Sequence, residues 1–210
     1  CMDISIFSHG ADITVQRFAS SETGQINTAR LRSFRQGIFT YNTFNAAMIP
    51  QAQSGPFDRL QRYQVIKQAD TLLLMSRLPK KFTPEERLNA WEDFEPCCLH
   101  DSTLSFASHA LFAAQNGLQE AAEKYFKKAL YLDLHEIMNN TGKEGLHLAC
   151  LGETWSSIFF GFLGANFNGD TPAFSPALPS GWKALRTNFY WQGKIYHLAI
   201  SDNHYTVTKA

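Results

Sequence analysis

The sequence predicts a mainly α-helical chain that ends in a small antiparallel β region. Three observations carry that reading. Apolar residues recur at helical spacing from Phe57 to about Ala165. Thr83-Pro84-Glu85-Glu86 has the residue order of a helix start. Beyond a segment rich in Asn, Gly, Pro and Ser, from Asn166 to Ser180, two strand-like runs flank Gln192-Gly193.

The elements follow in order. Asp3-Ile4-Ser5-Ile6-Phe7 alternates weakly, as a strand does, and Ile38-Phe39-Thr40-Tyr41 is a second β-like run. Ser54-Gly55-Pro56 then breaks the chain, leaving residues 1–56 as an unassigned amino-terminal segment. Leu60, Val65, Ile66 and Leu72 through Met75 predict one long apolar helix, ended before Pro79. At the next helix, Thr83 is the cap, Pro84 takes the first helical position, where a missing N–H costs nothing, and Glu86 closes a capping box. A third helix is expected from about Thr103 to Gln115, stopped by Asn116-Gly117. A fourth carries Ala121, Ala122, Tyr125, Phe126, Ala129 and Leu130 on one face. A last one, near Gly152 to Leu163, is apolar almost all round and is expected to be buried. In the tail, Thr187 to Trp191 and Lys194 to Ile200 form a hairpin pattern, and Tyr205 to Thr208 is a third strand. Three strands hardly stand alone, so they are expected to pack on the helices or on a larger sheet.

Composition bounds the function. The 210 residues include 44% apolar and 18% charged residues, with net charge zero and scattered basic residues. That balance suits a globular core and favours neither nucleic acid nor an anionic membrane as partner. No apolar run approaches the ~18 residues of a membrane span, and the start lacks the layout of a signal peptide. Cys97 and Cys98 are adjacent, which fits neither a disulfide framework nor C-x-x-C metal spacing, and Cys1 and Cys150 stand apart. Free thiols in a cytoplasmic protein, with no metal and no cofactor, are the expectation, and the sequon Asn139-Asn140-Thr141 is then chance.

Three segments place polar residues where an apolar helical array would not want them: Lys67, Gln68 and Asp70; His100 through Ser105; and Glu144 through His147. Each has a bland explanation, as a solvated helix face, an N-cap at Asp101 or Ser102, and a structural histidine. Together they suit an anion and a sugar. Helix N-termini offer unpaired N–H groups and a partial positive charge, to which Ser102 and Thr103 would add hydroxyls and His147 a ring donor. Gly145 would let backbone approach closely, Lys67 would bring a full charge, and Gln68 an amide for sugar hydroxyls.

These segments resemble a known family. Phe57-Asp58-Arg59-Leu60-Gln61-Arg62 through Ile66-Lys67-Gln68-Ala69-Asp70 is similar to the segment that follows the catalytic acid in family 65 glycoside phosphorylases. Phe94-Glu95-Pro96 with His100-Asp101-Ser102-Thr103-Leu104-Ser105 resembles the family's F-E-P…H-[DE]-S-[ST]-L-S loop. Leu130 to Leu134 is similar to its A-R-L-D-L run. Glu144-Gly145-Leu146-His147-Leu148-Ala149 with Gly152 and Trp155 resembles its G-L-H signature. Leu178-Pro179-Ser180-Gly181-Trp182-Lys183-Ala184-Leu185 is similar to the approach to its carboxy-terminal β-domain.

The resemblance implies part of an (α/α)6-barrel catalytic domain over residues 57–165, and a linker with strands of a carboxy-terminal β-sandwich over 166–210. It implies inverting phosphorolysis of an α-glucosidic disaccharide, such as maltose, trehalose, kojibiose or nigerose, to β-glucose 1-phosphate, with inorganic phosphate as co-substrate. Ser102, Thr103, Gly145 and His147 would hold phosphate, Lys67 and Gln68 would border the reacting glucose, and homodimers would be usual. One departure stands out. Glu22 is the only glutamate before Lys67, and its surroundings do not match those of the family's general acid. The chain is therefore expected to be a fragment that bears the phosphate pocket, without a catalytic residue of its own and inactive alone. The alternatives are a truncated homologue that binds sugar or phosphate without catalysis, and a helical protein–protein module that would bind no anion.

Overall fold

The computed structural model describes residues 4–8, 11–15, 66–202 and 204–210, with side chains from residue 66 onward except Lys143, Glu144 and Asn203. The long helix predicted from Leu60 lies partly outside these residues, as do Ile38–Tyr41, Ser54–Pro56 and Glu22.

The chain divides into two compact units. Strands β1 (Ile4–Ser8) and β2 (Ala11–Val15) belong to the first and pair antiparallel, with Ile6 opposite Ile13. In the same unit, helix α2 (Pro84–Phe94) begins as its sequence predicts. Thr83 accepts from the Glu86 N–H at 3.2 Å, and the Glu86 carboxylate accepts from the Thr83 N–H at 2.8 Å. Two of the N–H groups that a helix start leaves unpaired are thereby satisfied.

The second unit carries the site. Its centre is α3 (Ser105–Gln115), whose residues Ser105 through Ala113 are all buried. Helices α1 (Asp70–Arg77) and α4 (Gln119–Leu130) pack against it, as do α6 (Leu148–Ser156) and the π-helical turn Ser157–Phe162 that continues α6. A single short helix, α5 (Thr141–Glu144), precedes α6. The α3–α4 connection turns at Gly117 (φ 71°), a backbone conformation that glycine adopts without strain, as the Asn116-Gly117 stop predicts. Ala122, Tyr125, Phe126 and Ala129 form the buried face of α4, while Leu130 lies exposed at its end.

Two sets of contacts fix helix direction. The Asp101 N–H donates to the Lys67 carbonyl at 3.1 Å, and the Gln115 side chain reaches the Ser76 carbonyl at 3.4 Å, so α1 and α3 run the same way. The Ser157 hydroxyl donates to the Ala107 carbonyl at 2.9 Å, and a Cβ on Gly161 would lie 2.9 Å from that of Ala114. The α6 segment therefore also runs parallel to α3, and glycine at 161 is what admits so close an approach. All three helices point their N-termini toward one end of the layer.

Strands β3 (Ala184–Trp191), β4 (Lys194–Ser201) and β5 (His204–Lys209) form an antiparallel sheet in that order. Gln192 (φ 46°) and Gly193 (φ 75°) are both left-handed, the two-residue geometry whose twist suits a hairpin. The sheet packs on the helices through Phe159, Leu163, Phe174, Leu198 and Ile200, all buried. The Pro-rich connection is pinned to the end of the α6 segment. Ser175 and Ala177 donate to the carbonyls of Leu163 and Phe162, and a Cβ on Gly164 would sit 2.6 Å from the Ser175 oxygen.

Two expectations need correction. Lys67 and Gln68 do not lie inside a helix. Ile66 pairs with Cys98 in a one-residue parallel bridge, and the helix begins only at Asp70, whose carboxylate accepts from the Gln68 amide at 2.7 Å. Pairing with a distant part of the same chain outcompetes local helix propensity there. The last helix starts at Leu148 rather than Gly152 and is not buried all round, since Leu151, Trp155 and Phe160 are exposed.

Candidate functional site

The two parallel helices α3 and α6 have entrances built in different ways. At α3 the chain makes a tight turn before the helix. The Ser102 hydroxyl accepts from the Leu104 N–H at 3.4 Å, and its carbonyl accepts from the Ser105 N–H at 3.0 Å. Ser102 and Thr103 thus precede the helix by a turn instead of opening it, with Leu104 in the capping position and no side-chain cap there. The bland expectation of an N-cap at Asp101 or Ser102 is not met.

His100 organises this entrance. It sits at φ 53°, with Nδ1 2.8 Å from the Ser105 hydroxyl and Nε2 3.2 Å from the Tyr125 hydroxyl. Its ring packs against those of Phe106, His109 and Tyr125. Burial, with the nearby charges of His109, Lys128 and Lys124, lowers the His100 pKa to about 3, so the ring is neutral at ordinary pH. Its role is to hold the loop that carries Ser102 and Thr103. The backbone bond from Asp101 to Lys67 sets the Lys67-Gln68 segment beside that loop. Lys67 is exposed, Gln68 half-buried.

The α6 entrance has a carboxylate at its base. Asp133 accepts from the His147 backbone N–H at 2.8 Å, from His147 Nδ1–H at 2.6 Å and from the Thr141 hydroxyl at 3.2 Å. The His147 and Asp133 side chains retain only 12% and 6% exposure, so this pair is held in place and not merely tethered. With Nδ1–H donated to a carboxylate, the orientation of the ring is fixed. Burial pushes the Asp133 carboxyl up, but the hydrogen bonds from His147 and Thr141 outweigh it and leave the group below the usual aspartate range. Gly145 (φ 79°) closes α5 two residues earlier, in a conformation that disfavours a side chain. Further along α6, Arg77 of α1 pairs with the buried Glu153; burial raises the Glu153 carboxyl and Arg77 opposes it.

The structure therefore brings Lys67 and Gln68 together with the Ser102-Thr103 loop, and places Gly145 and His147 at the start of a helix parallel to α3. Sequence reasoning missed Asp133, His109 and Tyr125 as site-shaping residues. Asp133 stood inside the quoted Leu130–Leu134 run, whereas His109 and Tyr125 occupy helix faces that read simply as core.

Comparison with known proteins decides the family. Residues 31–156, more than half of the chain, match the glycosyl hydrolase family 65 central catalytic domain. The chain belongs to glycosyl hydrolase family 65. Residues 166–210 match that family's C-terminal domain, and the central match begins well before residue 57, where the motif resemblance starts. The chain is 31% identical over 163 residues to a maltose phosphorylase of Bacillus subtilis, covering 78% of this chain and 21% of that protein. It is 36% identical over 145 residues to an alpha,alpha-trehalose phosphorylase of Thermoanaerobacter brockii, covering 69% and 19%. A solved structure described as a putative kojibiose phosphorylase from the human microbiome superposes with a TM-score of 0.70 at 27% identity, over 80% of this chain and 22% of that one. The chain thus spans about a fifth of the length of the relatives it matches. A mainly α portion followed by a β region is what the sequence predicts and what the fold contains. Among the described residues, no helix is long and apolar enough to cross a membrane.

Proposed function

We propose that this chain is the phosphate-holding portion of an inverting phosphorylase that acts on an α-glucosidic disaccharide. The observation that carries the reading is the pairing at the two parallel entrances: Asp101 bonded to Lys67 at one, and His147 locked by Asp133 at the other. Neither helix has a side-chain cap from its capping residue, as α2 does; Ser102 takes the Leu104 and Ser105 N–H groups at one entrance and Asp133 takes the His147 N–H at the other, which leaves the later first-turn donors of each helix for an anion. Helix dipoles favour an anion beyond such ends by ~0.3–1 kcal/mol each. Ser102 and Thr103 would supply hydroxyls, Gly145 close backbone approach, and His147, as an imidazolium, an N–H donor to a phosphate oxygen. An imidazolium between Asp133 and phosphate would be stabilised from both sides.

In the reaction, a phosphate oxygen attacks the anomeric carbon as the glycosidic C–O bond breaks, and the departing oxygen takes a proton from a carboxylic acid. Phosphate is itself the anionic nucleophile, so no carboxylate base is needed for water, and positioning carries the catalysis. No residue of the site described here is placed to be that acid, which we assign to a part of the catalytic domain outside it. Cytoplasmic location, and the absence of any cofactor for phosphorolysis, belong to the same reading.

The test has two arms. The purified chain, incubated with phosphate and maltose, trehalose, kojibiose or nigerose, should release no glucose 1-phosphate, because general acid catalysis alone contributes ~10²–10⁴-fold. Release abolished by Glu22→Gln would overturn this assignment and make Glu22 the acid. In calorimetry, the chain should bind inorganic phosphate, and Ser102→Ala should weaken that binding. Absence of binding would favour a helical interaction module.

A further inference from the structure

The α3 entrance holds a donor cluster that phosphate chemistry does not use. One ligand atom from each of Cys98, His100 and His109 lies within 4.8 Å of the others, and Cys98 and His109 are buried. The spacing, one residue between Cys98 and His100 and eight more before His109, resembles no common metal motif, so pairwise cysteine spacing overlooked it. The fold assembles it through the Ile66–Cys98 bridge on one side and the first two turns of α3 on the other.

We propose that Cys98, His100 and His109 form a binding site for a soft monovalent metal ion, Cu(I) in chemical class.

The donors are one thiol sulfur and two imidazole nitrogens. No carboxylate stands among them, so a hard cation such as Mg²⁺ or Ca²⁺ would find none of its preferred oxygen ligands. The spacing is suitable. Metal–sulfur and metal–nitrogen bonds of ~2.3 and ~2.0 Å at a tetrahedral angle separate the two donors by ~3.5 Å. Cys98 Sγ lies 3.7 Å from His100 Nδ1, so little movement is required.

The ring orientations suit the purpose as well. His109 Nδ1–H donates to the Ser105 carbonyl at 2.7 Å, which puts the lone pair on Nε2. With His100 Nδ1 turned to the metal, its Nε2–H would donate to the Tyr125 hydroxyl, now 3.2 Å away. Ligating histidines commonly have such outer partners. The cost is the bond between His100 Nδ1 and the Ser105 hydroxyl.

Charge selects the oxidation state. Lys124 Nζ lies 4.7 Å from the centre of the Tyr125 ring and Lys128 Nζ 5.1 Å from that of Phe106, and both rings pack on His100. Binding proceeds with loss of one proton from the Cys98 thiol to solvent, forming a sulfur–metal bond. A monovalent ion then leaves the site neutral, whereas a divalent ion would leave one net positive charge facing two ammonium groups.

The test is an anaerobic titration of the whole chain with Cu(I) against bicinchoninate, with Zn(II) measured in parallel. The wild type should withhold one equivalent of Cu(I), raise its thermal midpoint in doing so, and prefer Cu(I) to Zn(II). Cys98→Ser and His109→Gln each remove a proposed ligand and should weaken binding by at least the ~10–100-fold that loss of an outer-shell partner costs. The double variant Cys1→Ser/Cys97→Ser, which keeps Cys98, should bind as the wild type does and show the same thermal shift, independent of whether Cys98→Ser folds. Loss of binding in that double variant, unchanged binding in Cys98→Ser, no thermal shift with Cu(I), or tighter binding of Zn(II) would each overturn the proposal.

Discussion

The entrances to α3 and α6 each carry one histidine, and the two histidines are treated in opposite ways. His100 is turned inward, bonded through its two nitrogens to Ser105 and Tyr125, and kept neutral by burial and nearby cations. His147 is bonded through both its backbone N–H and Nδ1 to the Asp133 carboxylate. The first is a brace for a loop, and the second is a ring anchored on a carboxylate, which favours its protonated form beside an anion. Residue type alone does not distinguish these roles; the partner on the far side of the ring does.

Acid stability separates the two most strongly. The folded-state pKa of His100 is lowered from 6.5 to about 3, so between those values the unfolded chain takes up a proton that the folded chain refuses. Its contribution is therefore complete above pH 6.5 and is lost as pH falls, at up to ~1.4 kcal/mol per pH unit. His100→Asn keeps a residue that tolerates positive φ and removes the titration. Denaturant unfolding of this variant should show a flatter stability profile between pH 6.5 and 4. A profile parallel to that of wild type would remove His100 from the role of neutral brace.

Asp133→Asn attacks the other entrance. The variant removes a carboxylate acceptor from two His147 N–H groups, and a cost of about 1–3 kcal/mol at neutral pH is expected in the same assay. Because the Asp133 carboxyl is lowered in the fold, its contribution is present above the ordinary aspartate pKa of 3.8 and fades as pH falls below it. The two variants should thus act mainly in different pH ranges, His100→Asn from 6.5 down to about 3 and Asp133→Asn below 3.8. Asp133→Asn should also weaken phosphate binding, because the His147 ring loses its fixed orientation; unchanged affinity would reduce Asp133 to a structural acceptor.

Thr83→Ala provides the smallest effect and a control. Loss of the capping box at α2 should cost about 1 kcal/mol by thermal or denaturant unfolding. Phosphate affinity should not change, since α2's first donors are already taken by Thr83 and Glu86.

How much of this was legible in the sequence follows from the range of the interactions. The α2 start and the β3–β4 turn depend on residues within four positions of one another, and both formed as patterned. Periodicity places Lys67 and Gln68 in a helix because it counts neighbours along the chain, while the backbone there is held by Cys98, Leu99 and Asp101, more than thirty residues away. The same limit hid Asp133, whose partner His147 lies fourteen residues on. His147 itself is legible because a polar residue before an apolar helix stands out locally. The exposed stripe of Leu148, Leu151 and Trp155 on α6 escaped for a different reason: an all-round apolar helix reads as buried wherever its neighbours are.

The most direct test follows the two imidazoles by NMR while inorganic phosphate is added to the ¹⁵N-histidine-labelled chain at neutral pH. The His147 ring nitrogens should shift saturably, His100 should stay neutral and unmoved, and His147→Ala should weaken phosphate binding by ~10-fold or more, as loss of a charge-assisted hydrogen bond implies. A His147 ring that ignores phosphate while the chain binds it, with equal affinity in His147→Ala, would contradict the account.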